Sequence, residues 1–317
     1  MDVDNSPPVH RLPPEVLEQI FSSLQTSVGW TWSVITQYSV YGRTTWIRVA
    51  SVCRHWHLVA VQSPQLWALV SLDIVGASFL PAYLGRSRTL PLSVTIRCGG
   101  PVLSSLLHHA SRIRRLEIQG LAGVLPRLIG TLEFLEEADL SNAYAIEAPG
   151  PIVYFRRDDF PRLRKLSLSQ VRVAWDAFSL PSLHELSVGY PPQFISATTL
   201  LRIMRDSPGL RVLSFLWRRD APSAPVGDLQ ATDVVSLMHL ENVALTGTLQ
   251  NITDVLDRII GIPSGKFTIR VRYDMEASVH GVHSLQMFLP RQLAFQSLLP
   301  YCTTVSLVVP VEVIITA

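Results

Sequence analysis

The chain has 317 residues, of which 48% are hydrophobic and only 16% are charged. A composition this apolar excludes a disordered chain and allows a sizeable buried core, in one large domain or two ordinary ones. The net charge of +2 is too close to neutral to predict binding to nucleic acid or to an anionic membrane surface.

The sequence carries no recognisable targeting segment. Residues 1–14 contain acidic residues and prolines where a secretory signal needs an apolar run, and no apolar stretch reaches the roughly 18 residues of a membrane helix. The cysteines Cys53, Cys98 and Cys302 are scattered and odd in number, which indicates buried thiols in a reducing compartment. We therefore expect a cytoplasmic and/or nuclear protein with no membrane partner.

Residues 12–24 predict a first helix. Proline is tolerated in a first turn, because the amides there lack intrahelical partners, and Glu15 suits the helix dipole. The apolar residues of this segment share one helical face: Val16, Leu17, Ile20, Phe21 and Leu24.

Two further helices are predicted after residue 46. The second runs from about Ile47 to Val61, and the third covers residues 65–69 behind the capping pair Ser63 and Pro64. The apolar stripe of the second helix is Val49, Val52, Cys53, Trp56 and Val59. Three helices this short offer more apolar surface than they can bury among themselves, so either the following residues or a partner protein must cover it.

The three helical blocks together resemble an F-box. They read Leu12-Pro13-Pro14-Glu15-Val16-Leu17-x-x-Ile20-Phe21-Ser22-x-Leu24, then Val49-Ala50-x-Val52-Cys53-Arg54-x-Trp56-x-x-Val59-Ala60, then Pro64-x-Leu66-Trp67. The order of the blocks, the spacing within each block and the residue types all match. The resemblance implies a three-helix module that binds the small Skp-type adaptor of cullin–RING ubiquitin ligases, and through it a cullin.

The resemblance also implies which residues face the adaptor. From the first helix these are Leu12, Pro13, Val16, Leu17, Ile20 and Phe21. From the second they are Val49, Val52, Cys53 and Trp56, and Trp67 anchors the third helix.

An insert at residues 25–46 separates the first two blocks, where most F-boxes have a short linker. Its Ser, Thr and Gly content and its lack of periodicity predict a surface loop. Its aromatic residues could instead pack on the helices or contact a partner: Trp30, Trp32, Tyr38 and Tyr41.

A pattern of apolar-x-x-apolar-x-apolar recurs in the rest of the chain. Clear copies begin at Ile113, Leu135, Leu163, Leu183, Leu210 and Leu240, and weaker ones at Pro91 and Cys302. Successive clear copies lie 22, 28, 20, 27 and 30 residues apart. These intervals bracket the leucine-rich-repeat period of roughly 20–29 residues.

Helix-like segments lie between the predicted strands, at residues 102–112, 197–206, 250–260 and 283–299. A strand and a helix per repeat stack into a curved solenoid with a parallel sheet on its inner face. The repeats resemble leucine-rich repeats only in part, because the asparagine expected after each strand is absent, and a generic open α/β array is the alternative. Loops at 143–159 and 220–227 are candidate binding segments.

The predicted fold class is α/β. Residues 1–69 are expected to form a three-helix F-box with the insert, and residues 70–317 an irregular leucine-rich-repeat-like solenoid with a parallel sheet that binds a target protein.

The sequence contains no catalytic constellation that we would defend. It has no phosphate-binding glycine loop and no dinucleotide fingerprint. His55 and His57 flank Trp56 near Cys53, but no second ligand pair follows at zinc spacing, so packing is the favoured interpretation. We therefore expect no enzyme activity, no metal and no cofactor.

Residues between the apolar positions of each strand should point to the opposite face, where equivalent positions lie about 4.8 Å apart. One such row alternates in charge and predicts a ladder of exposed ion pairs: Arg115, Glu137, Lys165 and Glu185. A second row is acidic and then small and polar: Glu117, Asp139, Ser167, Ser187 and Ser214. We predict that this second row contacts the target, with its two carboxylates on the open concave surface.

Two functions fit these observations. The chain is either a substrate-recognition subunit that bridges the adaptor to a target, or a free-standing repeat scaffold whose F-box-like helices form a cap. Exposure of the faces that bear Leu17, Phe21 and Trp56 would favour the first function, and their burial against residues 70–120 the second.

Overall fold

The computed structural model describes residues 12–26, 46–72, 76–97, 106–120, 132–142, 151–217, 234–247, 249–256, 258–260, 266–272, 302–308 and 312–315. The chain forms two compact units that divide between Glu117 and Ile118. The predicted helix at 283–299, the loop at 220–227, most of the insert and parts of the segments 102–112 and 143–159 lie outside the described residues.

The first unit begins with α1 (Pro14–Thr26), a 3-10 helix (Trp46–Ser51), α2 (Arg54–Gln62) and α3 (Pro64–Trp67). The expectation of one continuous second helix is wrong. Cys53 has an extended backbone, with φ at −159°, and its Sγ accepts a hydrogen bond from the Trp56 N–H at 3.5 Å. Cys53 is therefore the N-cap of a new helix, because a side-chain acceptor satisfies one of the free amides of the first turn.

The rest of the first unit contains β1 (Leu69–Leu72), α4 (Leu80–Arg86), β2 (Leu92–Arg97) and β3 (Ile113–Gln119), whose last residues cross the boundary. β1 pairs in parallel with β2 so that Val70 lies opposite Val94, and both are buried. β3 lies beside β2. The weak copy of the repeat pattern at Pro91 thus does form a strand.

The side chain of Arg112 fastens the segment before β2 to the segment before β3. Its Nε donates to the Leu90 carbonyl at 3.0 Å and a terminal nitrogen donates to Ser87 Oγ at 2.7 Å, while the other lies 3.4 Å from His109 Nδ1. Burial lowers the pKa of Arg112. Burial, with added repulsion from Arg112 and His108, lowers the pKa of His109.

The lowered pKa of His109 predicts a stability that depends on pH. Between its ordinary value of 6.5 and the lower folded value, the unfolded chain binds the proton more readily than the folded chain. The free energy of unfolding should therefore fall as the pH drops below 6.5 through that window, and be unaffected by this group at higher pH. Thermal melting of wild type and His109→Gln across this pH range measures the effect. An unchanged pH slope in the variant would contradict it.

The second unit contains ten further strands, two α-helices and a 3-10 helix (Trp175–Ala177) among its described residues. In chain order these are β4 (Glu137–Ser141), β5 (Lys165–Ser169), β6 (Glu185–Gly189), α5 (Ala197–Asp206), β7 (Val212–Leu216), β8 (Val235–Ser236), β9 (Asn242–Gly247), α6 (Leu249–Leu256), β10 (Ile259–Ile260), β11 (Lys266–Arg272), β12 (Cys302–Val308) and β13 (Glu312–Ile315). The strands β4, β5, β6, β7, β9, β11 and β12 pair in that order in parallel, and β13 adds antiparallel to β12. β8 and β10 form a separate parallel pair.

The pairing register of β4 to β9 is the one that the repeat pattern predicts. Equivalent apolar residues are direct lateral neighbours, and all of them are buried. One row is Ala138, Leu166, Leu186, Leu213 and Val243, and the other is Leu140, Leu168, Val188, Phe215 and Leu245. A parallel sheet with one face closed by apolar side chains follows, because side chains alternate between the two faces of a strand.

A reverse turn precedes each of these strands. The N–H of Leu163, for example, donates to the Phe160 carbonyl at 3.3 Å, and the equivalent bond closes the turns before Leu135, Leu183, Leu210 and Leu240. Proline occupies the second position of three of these turns: Pro161, Pro181 and Pro208. Its fixed φ favours that position, so turn and strand together form the repeating unit.

Gly247, at the end of β9, lies against the indole of Trp217. A Cβ atom at Gly247 would lie 2.8 Å from Trp217 Cε3, closer than any real contact of that kind. Trp217 is buried, its Nε1 donates to the Ile195 carbonyl at 3.0 Å and its ring lies 4.4 Å from that of Phe215. The indole therefore has no room to retreat.

We expect Gly247→Ala to lower the free energy of unfolding by about 1–3 kcal/mol, the usual cost of overpacking a core. Gly189→Ala is the matched control, because a Cβ there would lie no closer than 3.9 Å to another atom. Its stability should be unchanged or slightly raised, since alanine restricts the unfolded chain. Denaturant titration of both variants measures the difference, and equal midpoints would refute the packing argument.

Candidate functional site

Helix α1 carries apolar residues on two sides, one buried and one exposed. Leu17 and Phe21 are 0% exposed, and the Phe21 ring lies 5.3 Å from that of Trp56 on α2. Val16, Ile20 and Leu24 are 38%, 38% and 44% exposed. Residues four apart are neighbours on a helix surface, so these three form one exposed stripe, here called the α1 stripe.

The burial of Leu17 and Phe21 corrects the expectation that they face a partner directly. In this conformation they belong to the core in which α1 packs against the 3-10 helix, α2 and α3. Among the described residues of this region, the exposed large apolar side chains are those of the α1 stripe together with Val52, which is predicted, and Leu58, which is not. Leu12 and Pro13 are also accessible, whereas Val49 is buried and Cys53 and Trp56 are half-buried.

Trp67 anchors the third helix within the chain. Its ring lies 5.1 Å from that of Trp46 and 5.4 Å from that of Tyr83 on α4, with the guanidinium of Arg86 at 4.3 Å. Its Nε1 donates to the Ala60 carbonyl at 2.7 Å. The last residue of the insert, Trp46, thus packs on the helices, while the four other insert aromatics lie outside the described residues.

Polar bonds fix α1 against α3. The carboxylate of Glu18 accepts from Ser63 Oγ and from Gln65 Nε2, the latter at 2.7 Å, and Gln25 Nε2 donates to the Leu66 carbonyl at 2.7 Å. Each bond joins residues more than 40 positions apart in the chain. The α1 stripe is therefore held on a helix whose opposite side is fixed at several points.

Comparison with known families identifies this region. A family model described as F-box-like matches residues 9–73. The N-terminal helical region is F-box-like. No curated protein matches the chain. The match covers α1, α2, α3 and β1, so it includes every predicted adaptor-facing residue, and F-box domains generally bind Skp1-type adaptors.

Histidine and cysteine in the F-box-like region serve local structure. His55 Nε2 lies 3.1 Å from the Leu12 carbonyl and His57 Nδ1 lies 3.2 Å from the Ala50 carbonyl, while Cys53 caps α2. Within the described residues, no three His, Cys, Asp or Glu side chains come together as a metal site. Across the same residues, no helix has the length and hydropathy needed to span a membrane.

The second predicted row lies in register in the second unit, on the sheet face opposite the buried apolar rows. This face is here called the outer sheet face. Asp139, Ser167, Ser187 and Ser214 are successive lateral neighbours, and Ser167 Oγ donates to Asp139 Oδ1 at 3.0 Å. Glu117, in the first unit, is only 7% exposed and accepts from Thr95 Oγ1 at 3.2 Å. The expectation that Glu117 lines an open surface is therefore corrected, because its carboxylate is buried and hydrogen-bonded.

The part of the charged row that lies in the second unit is in register. Glu137, Lys165 and Glu185 are lateral neighbours, and Lys165 Nζ lies 2.7 Å from a carboxylate oxygen of Glu185. Both side chains are nearly half exposed, so the pair contributes about 0–1 kcal/mol. Val212 follows Glu185 in the row and ends the alternation of charge.

Matched substitutions on α1 should distinguish its buried side from its exposed side. Leu17→Asp places an unpaired charge in the helical core and should cost about 3–5 kcal/mol, enough to unfold the F-box-like region. Val16→Asp, one residue earlier, lies in the exposed stripe within the first turn, where a negative charge suits the dipole, and should leave stability within about 1 kcal/mol. Circular dichroism melting compares the two, and equal stability would mean that the assigned faces are wrong.

Proposed function

We propose that the chain is the substrate-recognition subunit of a Skp–cullin–F-box ubiquitin ligase, which bridges a Skp-type adaptor to a target protein. The observation that carries the proposal is the α1 stripe in an F-box-like region. Val16, Ile20 and Leu24 stay exposed after the helices have closed their own core. Exposed apolar side chains grouped on one helix are the usual basis of helix docking.

In this proposal the second unit is a leucine-rich-repeat-like solenoid that holds the target. The in-register parallel strands and the turn that precedes each of them support it. The chain then works by binding rather than by catalysis. The chain binds its cullin through the adaptor, and it acts in the cytoplasm and/or the nucleus.

One contact favours a second candidate, in which the F-box-like helices act as a cap on a non-ligase scaffold. Trp67 packs on Tyr83 and Arg86 of α4, which follows β1. The helices are thus joined to the following residues through a buried aromatic contact. The cap needs no exposed stripe, however, and the ligase subunit does.

Ile20→Glu is the test of adaptor docking. A carboxylate in a desolvated apolar interface should weaken binding by about tenfold or more. Ile20 is exposed, so the variant should fold normally. The measurement is co-purification of the intact chain with a Skp1-type adaptor and a cullin, followed by titration of the purified adaptor.

Phe79→Glu is the matched control, because Phe79 is an exposed large apolar residue of the same unit outside the F-box-like match. It should retain full adaptor binding. Failure of the wild-type chain to bind any Skp1-type adaptor, or equal binding by the folded Ile20→Glu variant, would favour the cap.

A further inference from the structure

Glu18 joins three helices at one point. Its two carboxylate oxygens accept separate bonds, one from Ser63 Oγ and one from Gln65 Nε2, the latter at 2.7 Å. Ser63 lies where α2 ends and α3 begins: its N–H donates to the Val59 carbonyl at 3.1 Å, and its own carbonyl accepts from the Leu66 N–H at 3.2 Å. Glu18, Ser63 and Gln65 are here called the clasp, and the clasp fixes α1 to both of the α-helices that follow it.

The clasp supplies a directional contact that the apolar core does not. Leu17 and Phe21 are fully buried, but apolar burial is non-directional and tolerates small shifts of a helix. Hydrogen bonds weaken steeply as their angles depart from the optimum. Gln25, two turns after Glu18 and on the same side of α1, donates to the Leu66 carbonyl at 2.7 Å. Two such contacts about 10 Å apart fix the rotation of α1 as well as its position along its axis.

The rotation of α1 decides where its exposed apolar residues lie. At 3.6 residues per turn, Val16, Ile20 and Leu24 lie about 160° to 240° around the helix from Glu18, on the side opposite to the clasp. Val52, which is also exposed, belongs to a different segment, between the 3-10 helix and α2. A partner that covers both must find them at a fixed mutual distance, because a gap of a fraction of an ångström forfeits much of a packing contact.

We propose that Glu18 is a positioning residue for adaptor docking. Through the clasp it sets the rotation of α1 and so presents the α1 stripe and Val52 to the adaptor in one fixed arrangement. The inference rests on the proposed function and deepens it, because it assigns control of an apolar contact to a polar group on the other side of the helix. Glu18 is half-buried, and its carboxylate already accepts two hydrogen bonds within the chain.

An exchange of the two side chains tests the clasp. Gln65→Glu places two carboxylates against each other, and their repulsion should open the clasp and weaken adaptor binding about three- to tenfold. Adding Glu18→Gln to that variant should restore binding to within about twofold of wild type, because the new amide can donate to the new carboxylate and accept from Ser63. The measurement is titration of a purified Skp1-type adaptor into the intact chain.

Gln62→Glu is the matched control. It makes the same charge change at another exposed position, three residues before Gln65 and outside the clasp, and it should bind as wild type does. Each variant is first melted by circular dichroism, and the titrations are made at a temperature at which all of them are folded. A role in stability alone would then leave the affinity unchanged, so equal affinity of folded Gln65→Glu and wild type overturns the inference.

The double variant excludes a direct contact. If Glu18 and Gln65 touched the adaptor themselves, exchanging them would not restore binding, so a loss that Glu18→Gln fails to rescue also overturns the positioning role. Failure of the proposed function gives a different result. No adaptor binding by the wild-type chain overturns both, whereas binding that Ile20→Glu weakens and Gln65→Glu leaves unchanged overturns the positioning role alone.

Discussion

The lateral stacking of buried apolar side chains across parallel strands is the constraint on which the second unit depends. Equivalent residues of neighbouring strands lie about 4.8 Å apart, so a connection can vary in length without disturbing the rows. This explains why strand starts can lie 20 to 30 residues apart and still stack in register. A slip of one residue would instead turn Leu166 outward and Ser167 inward.

The F-box-like region depends on the two apolar sides of helix α1, one of which is buried and the other exposed. The same four-residue spacing that places Leu17 and Phe21 towards α2 places Val16 and Ile20 on the exposed side. Because Glu18 and Gln25 bond to α3, the helix is fixed before any partner arrives. A stripe that is ordered in advance loses less conformational entropy on docking than one that must first be arranged.

Sequence periodicity predicts α5 at its observed bounds, Ala197–Asp206, and the register of the repeats, because both follow from spacing alone. It misses the break at Cys53, since the apolar stripe continues through a residue whose sulfur caps the next helix. Periodicity also cannot predict that Leu17 is buried and Val16 exposed, because the two residues lie only about 100° apart within one wide apolar stripe. Periodicity does not predict the burial of Glu117 either. The alternation along a strand shows to which side a residue points, but not whether other residues cover that side.

The outer sheet face and the α1 stripe differ in what a partner would gain by covering them. Each serine hydroxyl of the sheet face must exchange a bond to water for a bond to the partner, and an imperfect exchange costs free energy. The side chains of the α1 stripe lose no hydrogen bond when an apolar surface covers them, and they release water from apolar surface. The alternation that builds the core of the second unit therefore leaves a polar sheet face on the other side. Helix α1 instead leaves Val16, Ile20 and Leu24 outward after its core is closed, so its exposed side is the one that an apolar partner surface can cover without such an exchange.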